Sequence, residues 1–213
     1  MNFAARKNNI EIVQFLLNLP EIEIDNDCFI YCNRLIQLEV PSNIKFIGKS
    51  AFNECTSLTH ISLPSSITDI GSSAFRKCSS LESFEIPPRV TSINYSTFCE
   101  CKSLKQITIP SSMELFECFV FDGCSSLVQV SFESPSSMRS FRQGSFGRCS
   151  SLKRITIPSL VHTIDVNTFY GCSSLEEVIF ENPNSVDYLG DSSFCNCLSL
   201  KQITLPSSIK KIQ

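Results

Sequence analysis

Cys55-Thr56-Ser57-Leu58-Thr59-His60-Ile61-Ser62-Leu63-Pro64-Ser65-Ser66-Ile67-Thr68-Asp69-Ile70-Gly71-Ser72-Ser73-Ala74-Phe75 is one complete structural unit. Ile61 and Leu63, two apart, share one face of a short strand. Pro64 ends that strand because it has no backbone N–H to give to a ladder. Ile67 and Ile70, three apart, point inward from a return limb. Residues 72–77 leave room for one or two helical turns, and Phe75 with Cys78 closes the coil.

The closing signature, Phe-x-x-Cys-x-x-Leu, occurs eight times, with its phenylalanines at Phe29, Phe52, Phe75, Phe98, Phe121, Phe146, Phe169 and Phe194. The steps between them are 23, 23, 23, 23, 25, 23 and 25 residues, which is the mark of a solenoid. The same apolar slots return as Leu81, Phe84, Ile86, Val90 and Ile93, and as Leu152, Ile155, Ile157, Val161 and Ile164. No coil can bury its apolar face alone, so neighbours must stack. Both long steps carry their extra pair at one place. Phe132-Glu133-Ser134-Pro135 and Phe180-Glu181-Asn182-Pro183 stand where other coils have Ile-Pro. The prolines keep their distance to Met138 and Val186, so a loop is expected at the same rim twice, with the core register intact.

The pattern Leu-x-x-Ile-x-Ile-Pro-Ser-Ser-Ile-x-x-Ile-Gly-x-x-Ala-Phe-x-x-Cys-x-Ser-Leu, clearest from Leu58 to Leu81, resembles the BspA-type class of leucine-rich repeat over residues 28–213. The resemblance implies an α/β-type repeat solenoid: a right-handed leucine-rich repeat superhelix with a parallel strand in each 23- to 25-residue unit and short helical or irregular returns. It also implies kinship with surface antigens and adhesins. Function transfers less readily than fold, because one repeat scaffold hosts unrelated binding tasks.

Residues 1–27 follow another rule. Ile10, Val13, Leu16 and Leu17 have helical spacing, and Pro20 stops the run. Ala4-Ala5-Arg6, Ile12-Val13 and Leu16-Leu17 resemble the latter part of an ankyrin repeat, without its Thr-Pro-Leu-His opening. The segment reads either as a helical cap on the first coil or as the tail of an ankyrin array. At the other end Lys210-Lys211-Ile212-Gln213 stops in mid-coil with no cap legible, which reads either as a fragment of a longer chain or as an edge open to oligomerisation.

Composition narrows the function classes. A net charge of −3 gives no electrostatic footprint for nucleic acid. No apolar run reaches the length of a membrane helix, and no basic start with a small-residue cleavage site is legible. That places the chain in the cytoplasm, whereas the resemblance implies cell-surface display. In a secreted chain Asn94-Tyr95-Ser96 would be the glycosylation acceptor. Of twelve cysteines, eight (Cys32, Cys55, Cys78, Cys101, Cys124, Cys149, Cys172, Cys197) occupy one slot of the repeat. They read as small buried thiols, since side chains stacked in parallel seldom reach the disulfide dihedral. Cys28, Cys99, Cys118 and Cys195 fall outside that row and are expected to be accessible. With His60 and His162 in distant coils, no zinc set converges and no cofactor is implied. No phosphate loop or nucleophile elbow occurs, and the many serines serve turns, so the chain reads as a non-enzymatic protein-binding module.

Its contact surface is expected where the strand side chains point outward. Glu82, Glu85, Lys105, Gln106, Lys153, Arg154, Glu176, Glu177 and Lys201 are the candidate partner-binding residues, a polar ladder striped in charge from coil to coil. Ile36, Val128 and Ile179 interrupt it. Aromatics are absent from these positions, and binding hot spots are usually aromatic or Arg, so the expected contact is weak or dependent on avidity.

Overall fold

The computed structural model describes residues 10–19 and 22–212, and they form a right-handed parallel solenoid of about 7 turns. Helix α1 (Ile10–Leu17) precedes the coils. Its Val13 and Leu17 are fully buried, Gln14 Nε2 donates to the Glu39 carbonyl (3.0 Å), and Asn43 Nδ2 donates to that of Leu17 (3.3 Å). The Ala4-Ala5-Arg6 part of the ankyrin-like signature, and Pro20, lie outside the described residues.

Most coils contribute one short strand to a front ladder and one to a back ladder. In chain order these are β1 (Gln37–Glu39) and β2 (Phe46–Ile47), β3 (His60–Ser62) and β4 (Asp69–Ile70), then β5 (Ser92–Ile93) alone. They continue with β6 (Gln106–Ile109) and β7 (Leu115–Phe116), β8 (Gln129–Phe132) and β9 (Ser140–Phe141), and β10 (Arg154–Ile157) and β11 (Thr163–Ile164). The last are β12 (Glu177–Phe180), β13 (Tyr188–Leu189) and β14 (Lys211–Ile212). All pairings are parallel. The return limb, which the sequence marks only by Ile67 and Ile70, is thus itself a strand.

The back ladder runs unbroken through β5, β7, β9, β11, β13 and β14. It crosses both insertions in register, pairing Phe116 with Phe141 and Ile164 with Leu189. The extra residues are therefore absorbed before the inward-pointing positions, as the proline spacing predicts. In each insertion a glutamate reaches back to the preceding coil: Glu133 Oε2 accepts from the Ser111 amide and Glu181 Oε2 from that of Ser159, both at 3.0 Å. Between β4 and β5 a side chain bridges the coils: Asn94 Nδ2 donates to the Ile70 carbonyl (2.8 Å) and to Asp69 Oδ1 (3.1 Å). The amide expected to accept a glycan is thus committed inside the fold, and Ser96 of the same tripeptide is buried.

Residues 72–77 and their equivalents form no helix. Two residues per coil, four apart, take left-handed backbone, among them Ser73 and Lys77, Ser96 and Glu100, Phe119 and Gly123, Gly144 and Arg148. Non-glycine residues adopt this at a cost of about 1–2 kcal/mol. The conformation aims alternate amides at the next coil: Ser73 N to Tyr95 O (2.8 Å), Phe75 N to Thr97 O (3.0 Å) and Lys77 N to Cys99 O (2.7 Å). A third inter-coil ladder results, built from turns, and it satisfies amides that a helix would have turned along its own axis.

In the core the eight repeat phenylalanines stack with centroids 5.0 to 5.6 Å apart and planes within 13°. That is within the range of favourable offset stacking. Each is fully buried except Phe194, which is partly exposed with its neighbours Cys197 and Ile209. Beside the rings runs the cysteine row. From Cys55 onward each thiol donates to the carbonyl of the phenylalanine one coil back, Cys78 Sγ to Phe52 O and Cys101 Sγ to Phe75 O at 3.1 Å, Cys124 Sγ to Phe98 O at 3.2 Å. Burial pushes the thiols of Cys78, Cys101, Cys124, Cys149 and Cys172 well above the ordinary range.

Phe98→Ala should lower stability by about 3–5 kcal/mol, measured as a shift in the denaturation midpoint, because the ring lies between Phe75 and Phe121 with Phe84 against it. Alkaline pH should also destabilise the fold. The native thiols ionise later than those of the unfolded chain, so the unfolded state binds fewer protons above pH about 8.5, and stability falls as pH rises through that point. Each buried thiol contributes a slope approaching about 1.4 kcal/mol per pH unit, so urea melts at pH 8 to 10 should show a shallower decline for Cys101→Val.

Candidate functional site

The front ladder is broken more often than the back one, whose lapse among the described strands lies between β4 and β5. It consists of the pairs β1–β3, β6–β8 and β10–β12, with one bridge from Ser83 to Gln106. Intact rungs take the form Thr59 N to Ile36 O (2.8 Å), Val128 N to Lys105 O (2.9 Å) and Glu176 N to Lys153 O (2.8 Å). The equivalent rung from Lys153 N to Val128 O is not made, and no backbone bond joins β8 to β10. Residues 198–206, facing β12, likewise form no strand. Both of these lapses follow directly on a coil that carries the two-residue insertion, whereas the break between β3 and Ser83 occurs without one. The lengthened rim separates the coils at the front while the back ladder holds them together.

Over the β8/β10 opening lies a depression of about 880 Å³. Val128, Gln129, Ser131 and Phe132 form one wall, Lys153, Arg154 and Thr156 the other, and Glu176, Glu177 and Glu181 its far side. Four of the nine candidate residues therefore meet in one place. Arg154 Nε lies 2.6 Å from Glu177 Oε2, whereas Lys153 and Glu176 have no ion-pair partner among the described residues. Val128 is 50% exposed between these charges. Its aliphatic surface is the part of the site that a search for charged and aromatic positions passes over.

The remaining candidates are spread out. Glu82 and Lys105 pair with each other at 2.7 Å, and the hydrogen bond from Lys105 holds the Glu82 carboxyl below its ordinary value. Both are exposed, so the pair adds little to stability. Glu85 and Gln106 line a smaller hollow with His60 and Glu133. Lys201 is exposed on the segment that forms no strand. The striping by coil thus partly neutralises itself by pairing between neighbouring coils.

The cysteines outside the repeat row differ from expectation in one case. Cys195 is exposed and Cys28 and Cys118 are partly so, but Cys99 is buried. Burial raises the Cys99 thiol, and only in part is this offset by Arg76. All twelve thiols are free, and no group of His, Cys, Asp or Glu able to hold a metal ion occurs among the described residues. No helix among them is long and apolar enough to cross a membrane.

The BspA type leucine rich repeat region matches this chain over residues 22–135 and 95–213 in 6 copies. Among solved structures, a leucine-rich repeat protein from Bacteroides ovatus is 31% identical with a TM-score of 0.62, covering 82% of this chain and 52% of its own. A leucine-rich repeat protein of T. pallidum is 27% identical with a TM-score of 0.58, covering 86% and 73%. A leucine-rich cell surface protein from Faecalibacterium prausnitzii, 24% identical with a TM-score of 0.54 and covering 83% and 61%, shares the fold. The chain spans about half the length of the first of these. No curated protein sequence matches it.

Maleimide labelling of the folded protein followed by peptide mass mapping should modify Cys195 first and leave Cys99 and Cys101 unmodified until the chain unfolds.

Proposed function

The chain belongs to the BspA-type leucine-rich repeat family, and on that premise we propose that it is a non-enzymatic protein-binding module whose contact is centred on the β8/β10 depression. One observation carries this reading. Where the front ladder opens, a backbone amide and carbonyl left out of the rungs, the aliphatic surface of Val128 and the charges of Lys153 and Glu176 lie together. A protein surface can satisfy all of these at once, supplying donors and acceptors for the two backbone groups, apolar contact for Val128 and opposite charge for its neighbours. Pairing along the rest of the face leaves less free charge for a partner to meet. A cell-surface role, of which adhesion is one form, is in keeping with the F. prausnitzii protein, a leucine-rich cell surface protein. An intracellular scaffold is the second reading, and twelve free thiols favour it, since such thiols persist in a reducing compartment.

Changing Lys153 and Arg154 together to Glu should abolish partner capture while leaving the thermal melt within error, because both side chains are exposed. Pull-downs with folded wild type and variant, run in parallel on extracellular-matrix extract and on cell lysate, measure this. Loss of a matrix protein in the variant supports the adhesin reading and loss of a lysate protein the scaffold. Capture undiminished by the double change removes the depression as the contact.

A further inference from the structure

We propose that the turn-built edge of the solenoid carries a second, separate binding site, a polar groove that takes an oligosaccharide bearing a carboxylate. The residue following each repeat phenylalanine forms a row along this edge, with Asn53, Arg76, Cys99 and Asp122 in successive coils, spaced by about 4.8 Å. This row is the floor of a depression of about 470 Å³. Ser50, Ser73 and the buried Ser96 line it, and Tyr95, half exposed, stands beside it with its ring edge-on to Phe119 at 5.8 Å.

One end of the groove is closed by a clamp. Arg148 Nε donates to Asp122 Oδ1 (3.0 Å), its Nη2 bonds Asp122 Oδ2, and Nη2 lies 3.4 Å from Glu100 Oε1, two coils back. Two glycines make that reach possible. A Cβ at Gly147 would stand 2.7 Å from Asp122 Oδ1, and one at Gly123, which also needs its positive φ, 3.0 Å from Glu100 Oε1. With Glu54 paired to Lys77 at 2.7 Å, the carboxylates around the groove are neutralised.

Two groups on the floor are incompletely satisfied. Asn53 Oδ1 is the buried side-chain oxygen or nitrogen without a hydrogen-bond partner among the described residues, and such a group requires a donor. Arg76 is hydrogen-bonded to its neighbour in the row, the neutral Cys99 thiol, and has no carboxylate within ion-pair distance among the described residues; its planar fork keeps donors that suit a carboxylate. A ligand that fits carries an N–H or O–H donor next to a carboxylate and has an apolar face for Tyr95. A peptide read through its main chain is disfavoured. The amides of Ser50, Phe52 and Glu54, and of Ser73, Phe75 and Lys77, are all spent on carbonyls of the next coil, so this edge offers no backbone for strand addition. Recognition is left to carboxamide, guanidinium, hydroxyl and aromatic ring, which is the set that holds a sugar by its polar rim and its C–H face.

Nuclear magnetic resonance titration of the whole folded chain tests this, with hyaluronan tetrasaccharide as the probe because it carries both a carboxylate and an N-acetyl donor. Uncharged chitotetraose and a tripeptide with a free C-terminal carboxylate are the comparisons. Hyaluronan should shift amides around Asn53, Arg76 and Cys99, while those of β8 and β10 stay fixed and the Lys153/Arg154 charge reversal has no effect. Arg76→Gln should weaken binding about tenfold or more, the loss expected of a charged hydrogen bond, and Tyr95→Ala, at a half-exposed side chain, serves if Arg76→Gln does not fold. Absence of shifts with hyaluronan, unchanged affinity in both variants, equal binding of chitotetraose, or binding of the tripeptide alone would each overturn the proposal. None of these outcomes bears on the strand face.

Discussion

A thiol donating to a phenylalanine carbonyl one coil away, beside a column of stacked rings, is the constraint on which the other features of this molecule depend. The carbonyl of Phe52 already accepts the amide of Cys55 within its own coil, and the Cys78 thiol adds a second bond from the next. A buried carbonyl has two lone pairs, and a small, weakly polar S–H can fill the second at little desolvation cost. Alanine in that slot would leave it unfilled. Ring stacking holds the coils at one spacing and the thiols hold them in one register, so the eight repeats behave as one core.

Because that core is regular along its axis, the surface is organised in rows. Every outward position meets its counterparts one coil away, close enough for exposed pairs such as Glu82–Lys105 and Arg154–Glu177. Local chemistry appears where a row is interrupted. Two extra residues after β8 open the front ladder, and two glycines in the turn rows let Arg148 reach across to Asp122 and Glu100. The back ladder and the ring stack tolerate both interruptions, because neither touches an inward-pointing position.

The repeat, the inward slots, the rim position of both insertions and the outward rows were all legible from residue spacing. Each is a consequence of period and of strand alternation, which are properties of the chain itself. The turn edge was not. Ser73 and Lys77 carry no mark of left-handed backbone, since serine and lysine are ordinary helix-tolerant residues, and a helix was the natural expectation for 72–77. Their conformation is selected by the carbonyls of the next coil, which exist only once the coils are stacked. Cys99 fell to the same cause. Outside the cysteine row it looked accessible, yet burial among its neighbours along the turn edge closes it off. A signal for the clamp was present in Gly123 and Gly147, which stand where neighbouring coils carry larger side chains such as Glu100 and Tyr170.

What the sequence determined by itself was the architecture: a parallel stack of coils with phenylalanine, cysteine and leucine inside, because a 23-residue apolar period has one way to bury itself. Which of its outward residues lie together was decided by the tertiary structure alone. Spacing says that Lys153 and Glu176 point to solvent, but the missing rung between Val128 and Lys153 is what joins them in one depression. Asn53 and Arg76 likewise lie one period apart in sequence and become a pair only through stacking. Burial is an additive consequence of the pattern of apolar residues, whereas a binding site depends on where inter-coil hydrogen bonds are made and where they fail.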